Sequence, residues 1–314
     1  MRREAAAGRG EAGGSGLAVI VVTSDRREEI ELLLGYLAGQ SLAPDEIVVV
    51  GAAEHHLPEA LPARSAPTRL LVSESGTCRQ RNVGLDALGP SCRYVLFLDD
   101  DYVPARDAVE AVVAAFERTP ELAGLEGVVL ADGVTTGGID RRSAERRVRE
   151  DAERRARAGR HAAKAPVSIS RGPGLYGCNM AYRRDAIAGH RFDERLPLYG
   201  WQEDVDFAAR VSAGRPLGRA EGVRGVHRGV SRGRSPGLRI GYSQVANPHY
   251  LVRKGTLPVG FALRLVARNL AANHWRAPRP EPWIDRAGRV RGNWRALGDL
   301  VRGRLDPGRI VDMD

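Results

Sequence analysis

The residues best suited to chemistry in this sequence are two groups of carboxylates. The apolar run Tyr94-Val95-Leu96-Phe97-Leu98 passes directly into Asp99-Asp100-Asp101. A run of that kind reads as a buried strand, and in open α/β sheets ligands gather where such strands end. Three adjacent carboxylates repel one another unless a cation or a hydrogen-bonding ligand sits among them. Side chains two apart in extended chain share a side, so Asp99 and Asp101 are expected to face one site. Oxygen ligands beside a phosphate site suit Mg²⁺ or Mn²⁺. The plain alternative is a solvated acidic turn capping a helix near Ala105, with Pro104 at its start.

The second group follows a Gly-Trp corner, in Tyr199-Gly200-Trp201-Gln202-Glu203-Asp204. Val205, Phe207, Ala208 and Val211 then have helical spacing, which puts Glu203 and Asp204 in the first turn. Acids there are favoured by the helix dipole without any catalytic role. A carboxylate behind such a corner is also well placed to act as a general base.

These groups need a scaffold, and the sequence supplies an α/β one. Leu17–Val22 is a β-branched apolar strand ending at Thr23-Ser24-Asp25. Asp25 and Glu28 form a capping-box-like pair, and Ile30, Leu33, Leu34 and Leu37 recur at helical spacing. Glu46–Val50 reads as a second strand, so the opening is a βαβ unit with parallel strands. A strand at Arg69–Val72, a helix at Arg79–Leu88 and a strand at Arg93–Leu98 follow.

Composition sets outer limits. The 314 residues, 43% of them hydrophobic, are enough for a sizeable core and about two domains. No apolar run reaches the roughly 18 residues a spanning helix needs. Residues 1–16 lack periodicity and read as a disordered tail with no secretory signal. Cys78, Cys92 and Cys178 are odd in number and lack metal-ligand spacing, which points to a reduced, cytoplasmic protein. The net charge of +9 favours anionic partners. Of the basic residues only Lys164 and Lys254 are lysines, a bias that fits a GC-rich coding sequence. No aromatic-basic interleaving marks a nucleic-acid binder.

Taken in order, these motifs resemble the inverting family-2 glycosyltransferases of the GT-A fold over roughly residues 17–230. Val19-Ile20-Val21-Val22-Thr23-Ser24-Asp25-Arg26 resembles their first strand and nucleotide-binding turn, with Val22 where a Pro is usual. Gln80-Arg81-Asn82-Val83-Gly84 resembles the helix start near the nucleotide, and Leu98-Asp99-Asp100-Asp101 the Asp-x-Asp metal motif. Gly177-Cys178-Asn179-Met180-Ala181-Tyr182-Arg183-Arg184 resembles the strand after the acceptor loop, and Gly200-Trp201-Gln202-Glu203-Asp204 the catalytic Glu-Asp motif. His227 matches a position that often contacts metal or phosphate. The fold implied is a Rossmann-like βαβ nucleotide-binding core with a mixed central sheet, followed by a C-terminal helical extension over 231–314.

The resemblance implies a metal-dependent transfer of sugar from a nucleotide-diphosphate donor, best guessed as a UDP-sugar, to a hydroxyl or amine of a natural product or cell-envelope glycan. It assigns Asp101, Asp99 and His227 to Mn²⁺ or Mg²⁺, and Thr23, Asp25, Arg81, Asp99 and Asp100 to the donor. Asp204 is implied as general base, with Glu203 holding substrate hydroxyls. The family often has an acid directly after the second strand, where this chain has Gly51-Ala52-Ala53, so Glu54 or Asp25 would substitute or backbone would read the base.

Residues 140–164 form a charged stretch with Glu145/Arg149 and Glu150/Arg154 at helical spacing. It reads as a solvated helix or, with 165–174, as a lid hinged at Ser170-Arg171-Gly172-Pro173-Gly174. Pro258–Trp275 carries the stripe Phe261, Leu265, Val266 and Leu270. It packs on the catalytic domain or lies in a membrane interface as a peripheral contact. Trp275, Trp283 and Trp294 read as buried anchors or an acceptor groove. Nucleotidyl transfer and a non-catalytic sugar-nucleotide-binding scaffold are the alternatives. The first expects a Gly-rich phosphate loop that Thr23-Ser24-Asp25-Arg26 is not.

Overall fold

The computed structural model describes residues 14–170, 172–232 and 235–313. The expected tail lies, for residues 1–13, outside the described residues. Ser15 is buried, and its amide and hydroxyl both donate to Asp45 Oδ1 at 2.7 and 2.9 Å. Order therefore reaches back before Leu17.

The opening half is a parallel βαβ arrangement. β1 (Leu17–Thr23), α1 (Arg27–Ala38), β2 (Glu46–Gly51), β3 (Thr68–Val72), α2 (Thr77–Asp86) and β4 (Tyr94–Asp99) follow in order. Then come β5 (Tyr102–Pro104), α3 (Ala108–Arg118), β6 (Gly124–Asp132), α4 (Arg141–Arg157), β7 (Val167–Ile169) and β8 (Met180–Arg183). α5 (Glu203–Val211) and β9 (Leu217–His227) complete the core. Among the described residues one mixed sheet of nine strands runs β3-β2-β1-β4-β8-β6-β9-β5, with β7 also paired to β9. β3, β2, β1 and β4 are parallel, and β8 is antiparallel to both β4 and β6.

The strand period of two divides the core into two layers. Val19, Val21, Ile47, Val49, Leu96 and Leu98 pack with α1 and α3. Ala18, Ile20, Val48, Val50, Val95 and Phe97 face the other way, toward residues of α2 and α5. Parallel strands covered on both faces explain the unbroken apolar runs that identified them.

Several local expectations are corrected. Asp25 caps nothing: it has φ 56°, and α1 begins after Arg26 without a side-chain cap. Pro104 lies in β5, paired with Gly225 of β9, and the next helix starts at Ala108. The backbone donors that Asp99–Asp101 would have capped are thus several residues away. α4 is a largely exposed helix, but its i,i+4 ion pairs are Arg141–Glu145, Arg146–Glu150, Asp151–Arg155 and Glu153–Arg157, not the two expected. Asp151 is buried and also meets Arg224 of β9, so α4 is docked on the sheet. Arg171, at the expected hinge, lies outside the described residues.

The C-terminal extension consists of α6 (Gly237–Lys254), α7 (Val259–Arg276) and α8 (Arg286–Val301). α6 continues through Pro248. It crosses α8 closely because Gly241 and Gly292 have no side chains: a Cβ at either would lie 2.1 Å from a carbonyl oxygen of the facing helix. Tyr242, Val245, Ala246 and Ala296 form its core with Ile310 and Met313. The expected stripe of α7 does turn inward, with Leu265 buried. The tryptophans are not buried anchors: Trp275 is 87%, Trp294 61% and Trp283 40% exposed, though Trp283 packs over Gly137. None of the described helices is long and apolar enough to cross a membrane.

Candidate active site

The carboxyl ends of β1 and β4 open into a cleft of about 850 Å³. Its walls come from the β1 turn, the start of α2, residues 173–178, the corner at 198–205, and helices α6 and α7. No residue of 140–164 lines it, whereas Pro173–Cys178 do.

At the end of β4 the three aspartates part company. Asp99 continues the alternation of Val95 and Phe97 and lies 3.4 Å from Arg81 Nη2 of α2. Asp100 turns inward, where its carboxylate accepts from Thr23 Oγ1 at 2.7 Å and Arg26 Nη1 at 2.9 Å. Burial pushes Asp100 above the usual carboxylate range against the pull of Arg26. Asp101 returns to the Asp99 side, as the spacing predicts. β9 is antiparallel to β5 and delivers His227 to the same point, with Tyr102 and His227 as register partners.

Asp99, Asp101 and His227 each direct one ligand atom to a common point, with these atoms within 4.8 Å of one another. His227 Nε2 is 3.3 Å from Asp101 Oδ1 and 3.6 Å from Asp99 Oδ2. Asp101 Oδ2 accepts from the Val230 amide at 2.6 Å, while its Oδ1 is buried without a hydrogen-bond partner. Two carboxylate oxygens and an imidazole nitrogen suit Mn²⁺ or Mg²⁺. Apart from His227 Nε2, the buried Asp101 Oδ1 has no neighbour among the described residues to satisfy it, and with the imidazole neutral both atoms are left to take such an ion. Burial opposes charge on His227, but Asp101, Asp132 and Asp99 outweigh it and raise its pKa to about 10. Burial would raise Asp101, but His227 and Arg26 hold it below the usual range.

Sequence reading missed Asp132. It ends β6, two strands from β4, and its Oδ1 lies 3.3 Å from His227 Nδ1. Its Oδ2 accepts from Tyr176 Oη at 2.6 Å, and Oδ1 from the Val134 amide at 2.9 Å. A carboxylate on the far imidazole nitrogen fixes the ring's orientation and tautomer. The only sequence signal was an Asp ending a nine-residue strand.

The second carboxylate pair lies on another wall of the cleft. The chain takes left-handed conformations at Leu198 (φ 56°), Gly200 (φ 61°) and Gln202 (φ 72°), then enters α5 directly. This corner orients Glu203 and Asp204 toward the cleft. Asp204 accepts from the amides of Gly177 at 2.9 Å and Val205 at 2.8 Å. Burial raises its pKa against those two donors. Glu203 Oε1 is bonded to Arg81 Nη1, and its Oε2 is buried without a partner. Burial, resisted by Arg81, pushes Glu203 up to about 8.

Arg81 joins the two ends. It is fully buried, contacts both Glu203 and Asp99, and lies 5.3 Å from the Phe192 ring centroid. Burial penalises its charge, yet Glu203 and Asp99 more than compensate and keep it protonated. The helical extension braces this arrangement. Asn247 of α6 donates to the Trp201 carbonyl at 2.7 Å, and Lys254 and Thr256 both bond Asp206 of α5 at 2.8 Å.

Of the remaining expected donor contacts, Thr23 lines the cleft with its hydroxyl committed to Asp100. Asp25 is exposed and faces Arg232 at 3.5 Å, away from the cleft lining. Glu54 is exposed in a short 3-10 turn. All three cysteines are free and buried.

Comparison with known proteins places the fold. No family model and no curated protein matches the sequence. Among solved structures, the chain is similar to the mannosyltransferase PcManGT from Pyrobaculum calidifontis, in complex with GDP-Man and Mn²⁺. The TM-score is 0.51 and the identity 18%, over 94% of this chain and 84% of that one. It is similar also to residues 1–349 of S. aureus TarS, with a TM-score of 0.54 and 15% identity over 95% and 82% of the two chains. These likenesses extend through the helical extension. The fold is therefore an α/β GT-A-like core with a helical C-terminal part.

Proposed function

We propose that this chain is a metal-dependent inverting glycosyltransferase that moves a sugar from a nucleotide-diphosphate donor to an acceptor hydroxyl or amine. The observation carrying the reading is one cleft lined by Asp99 and His227 of the Asp99–Asp101–His227 donor set and by Glu203 and Asp204, with buried Arg81 linking the two sides. The fold shared with PcManGT, which was solved with GDP-Man and Mn²⁺, supports the same class of donor and cation.

Asp99, Asp101 and His227 would hold Mn²⁺ or Mg²⁺. When bound, that cation neutralises the charge the diphosphate leaving group gains. Asp204 removes the proton from the acceptor nucleophile as it attacks the anomeric carbon. The new bond forms on the face opposite the departing diphosphate, so the configuration inverts. Burial has raised the Asp204 pKa, which improves it as a base, while its two backbone donors hold the carboxylate in place. Glu203 presents its unpartnered Oε2 to a substrate hydroxyl, with Arg81 fixing the other oxygen. Asp100 lines the cleft while its carboxylate ties Thr23 to Arg26, so it faces the donor from the end of β4.

Uridine and guanosine diphosphate sugars are the donors to assay first, in parallel. With a competent donor and acceptor, proton NMR of the product reads the anomeric configuration. Inversion is expected; retention would refute the single-displacement reading.

A further inference from the structure

The outward side of α7 is an apolar ridge with a basic flank. Val259, Leu263, Ala267, Ala271 and Trp275 recur every four residues and are all exposed, at 58% for Val259, 65% for Leu263 and 87% for Trp275. Steps of four residues advance about 40° each, so the row, about 24 Å long, winds around the helix. Leu263, Ala267, Ala271 and Trp275, within about 120° of one another, share the outward side. The helix packs inward through Ala262, Leu265 and Asn273, so the ridge serves no internal contact. His274 meets Trp294 of α8 edge-on, which carries the exposed apolar face onto the neighbouring helix. Scattered surface apolar residues need no explanation, but a contiguous row does.

Arg264 and Arg268 follow the ridge on one side. Both are exposed, and neither has an ion-pair or hydrogen-bond partner among the described residues. α7 contains no Asp or Glu. Arg268, with Phe261 and Leu265, forms part of the cleft wall, so the basic flank runs into the mouth of the site. A second copy of this chain is a poor occupant. A two-fold contact through α7 would set these arginines against their own equivalents, with no acid on the helix to offset them.

We propose that α7 docks this protein on an anionic lipid surface. The ridge enters the headgroup region, Trp275 lies at interfacial depth, and Arg264 and Arg268 meet lipid phosphates. The cleft then opens at the lipid surface. If the transfer reading above holds, its acceptor is a hydroxyl carried on a membrane-anchored molecule. The docking itself does not depend on that reading.

The test is sedimentation of the full chain with phosphatidylcholine vesicles, and with phosphatidylcholine vesicles containing phosphatidylglycerol, together with tryptophan emission. Expected are binding to the anionic vesicles at least tenfold tighter than to neutral ones, a blue shift, and weakening by salt. Arg264→Glu removes one attractive charge and adds a repulsive one, and should lower affinity roughly 30-fold. Leu263→Ser/Trp275→Ser should lower it comparably and remove most of the blue shift. Both changes are at exposed sites outside the cleft lining, so melting temperature and nucleotide-induced stabilisation should match wild type. Equal binding to both vesicles, no binding, or unchanged binding by the variants overturns the proposal. So does a dimer that Leu263→Ser/Trp275→Ser abolishes in the absence of vesicle binding. No sugar donor is needed, so failure of the transferase reading leaves this result interpretable.

Discussion

Asp204→Asn separates chemistry from binding. The substitution keeps the size of the side chain and removes its basicity. Asp204 accepts one hydrogen bond on each oxygen, from the amides of Gly177 and Val205. Asparagine can accept only one of these, and its NH₂ group then faces an amide donor. That loses one hydrogen bond, about 1 kcal/mol. Burial already disfavours the charge on Asp204, so its loss adds no further cost. A cost of about 1 kcal/mol leaves the protein folded, with a melting temperature lower by only a few degrees. General-base catalysis is worth about 10²–10⁴-fold, or roughly 3–5 kcal/mol of activation free energy. Turnover should therefore fall by that factor while nucleotide affinity changes less than about threefold. Release of nucleoside diphosphate from the donor, with water or a supplied acceptor, measures turnover, and titration calorimetry with the nucleoside diphosphate measures binding. Turnover within tenfold of wild type, with the fold intact, would refute the assignment of Asp204 as base.

Three further outcomes follow from the same geometry. Arg81→Met strips the buried cation from Glu203 and Asp99 and should cost about 3–5 kcal/mol in urea unfolding; Arg81→Met/Glu203→Gln should recover a good part of it. Asp132→Asn removes the carboxylate behind His227 and should weaken Mn²⁺ binding about 10–100-fold in a calorimetric titration, with little change in unfolding midpoint. Asp193 is held below its ordinary pKa: burial would raise it, but Lys254 and Tyr250 donate to it at 2.5 and 2.6 Å. A depressed folded-state pKa stabilises above the unfolded value, about 3.9, and that contribution is lost as pH falls below it. Between about pH 5 and 3, unfolding free energy should thus drop more steeply in wild type than in Asp193→Asn.

The sequence made the chemistry legible where it is local. The apolar run ending in Asp99–Asp101 fixed both a strand and the side its alternate residues face, and the structure brings Asp99 and Asp101 together on that side. The Gly-Trp corner and helical spacing located Glu203 and Asp204 at the start of α5. Contacts set by sheet order were not legible. Asp132 reaches His227 because β6 lies beside β9, and nothing local to either residue encodes that neighbour relation. Asp25 looked like a cap by residue type, but its left-handed backbone takes it out of capping position. The α7 stripe was read correctly as packing inward. The exposed ridge on the opposite side escaped notice because Ala267 and Ala271 are unremarkable by type, and it took the structure to show that Trp275 is exposed.

The most direct test of the central claim is thermal stabilisation by uridine and guanosine diphosphates and their sugars, each with and without Mn²⁺, in wild type and Asp101→Asn. A nucleotide at about 100 times its Kd adds roughly 2.7 kcal/mol, a resolvable rise in melting temperature. A nucleotide-sugar transferase with its cation at Asp99, Asp101 and His227 should give a rise that requires Mn²⁺ and is lost in Asp101→Asn. A wild-type protein that no nucleotide stabilises, with or without the metal, would contradict it.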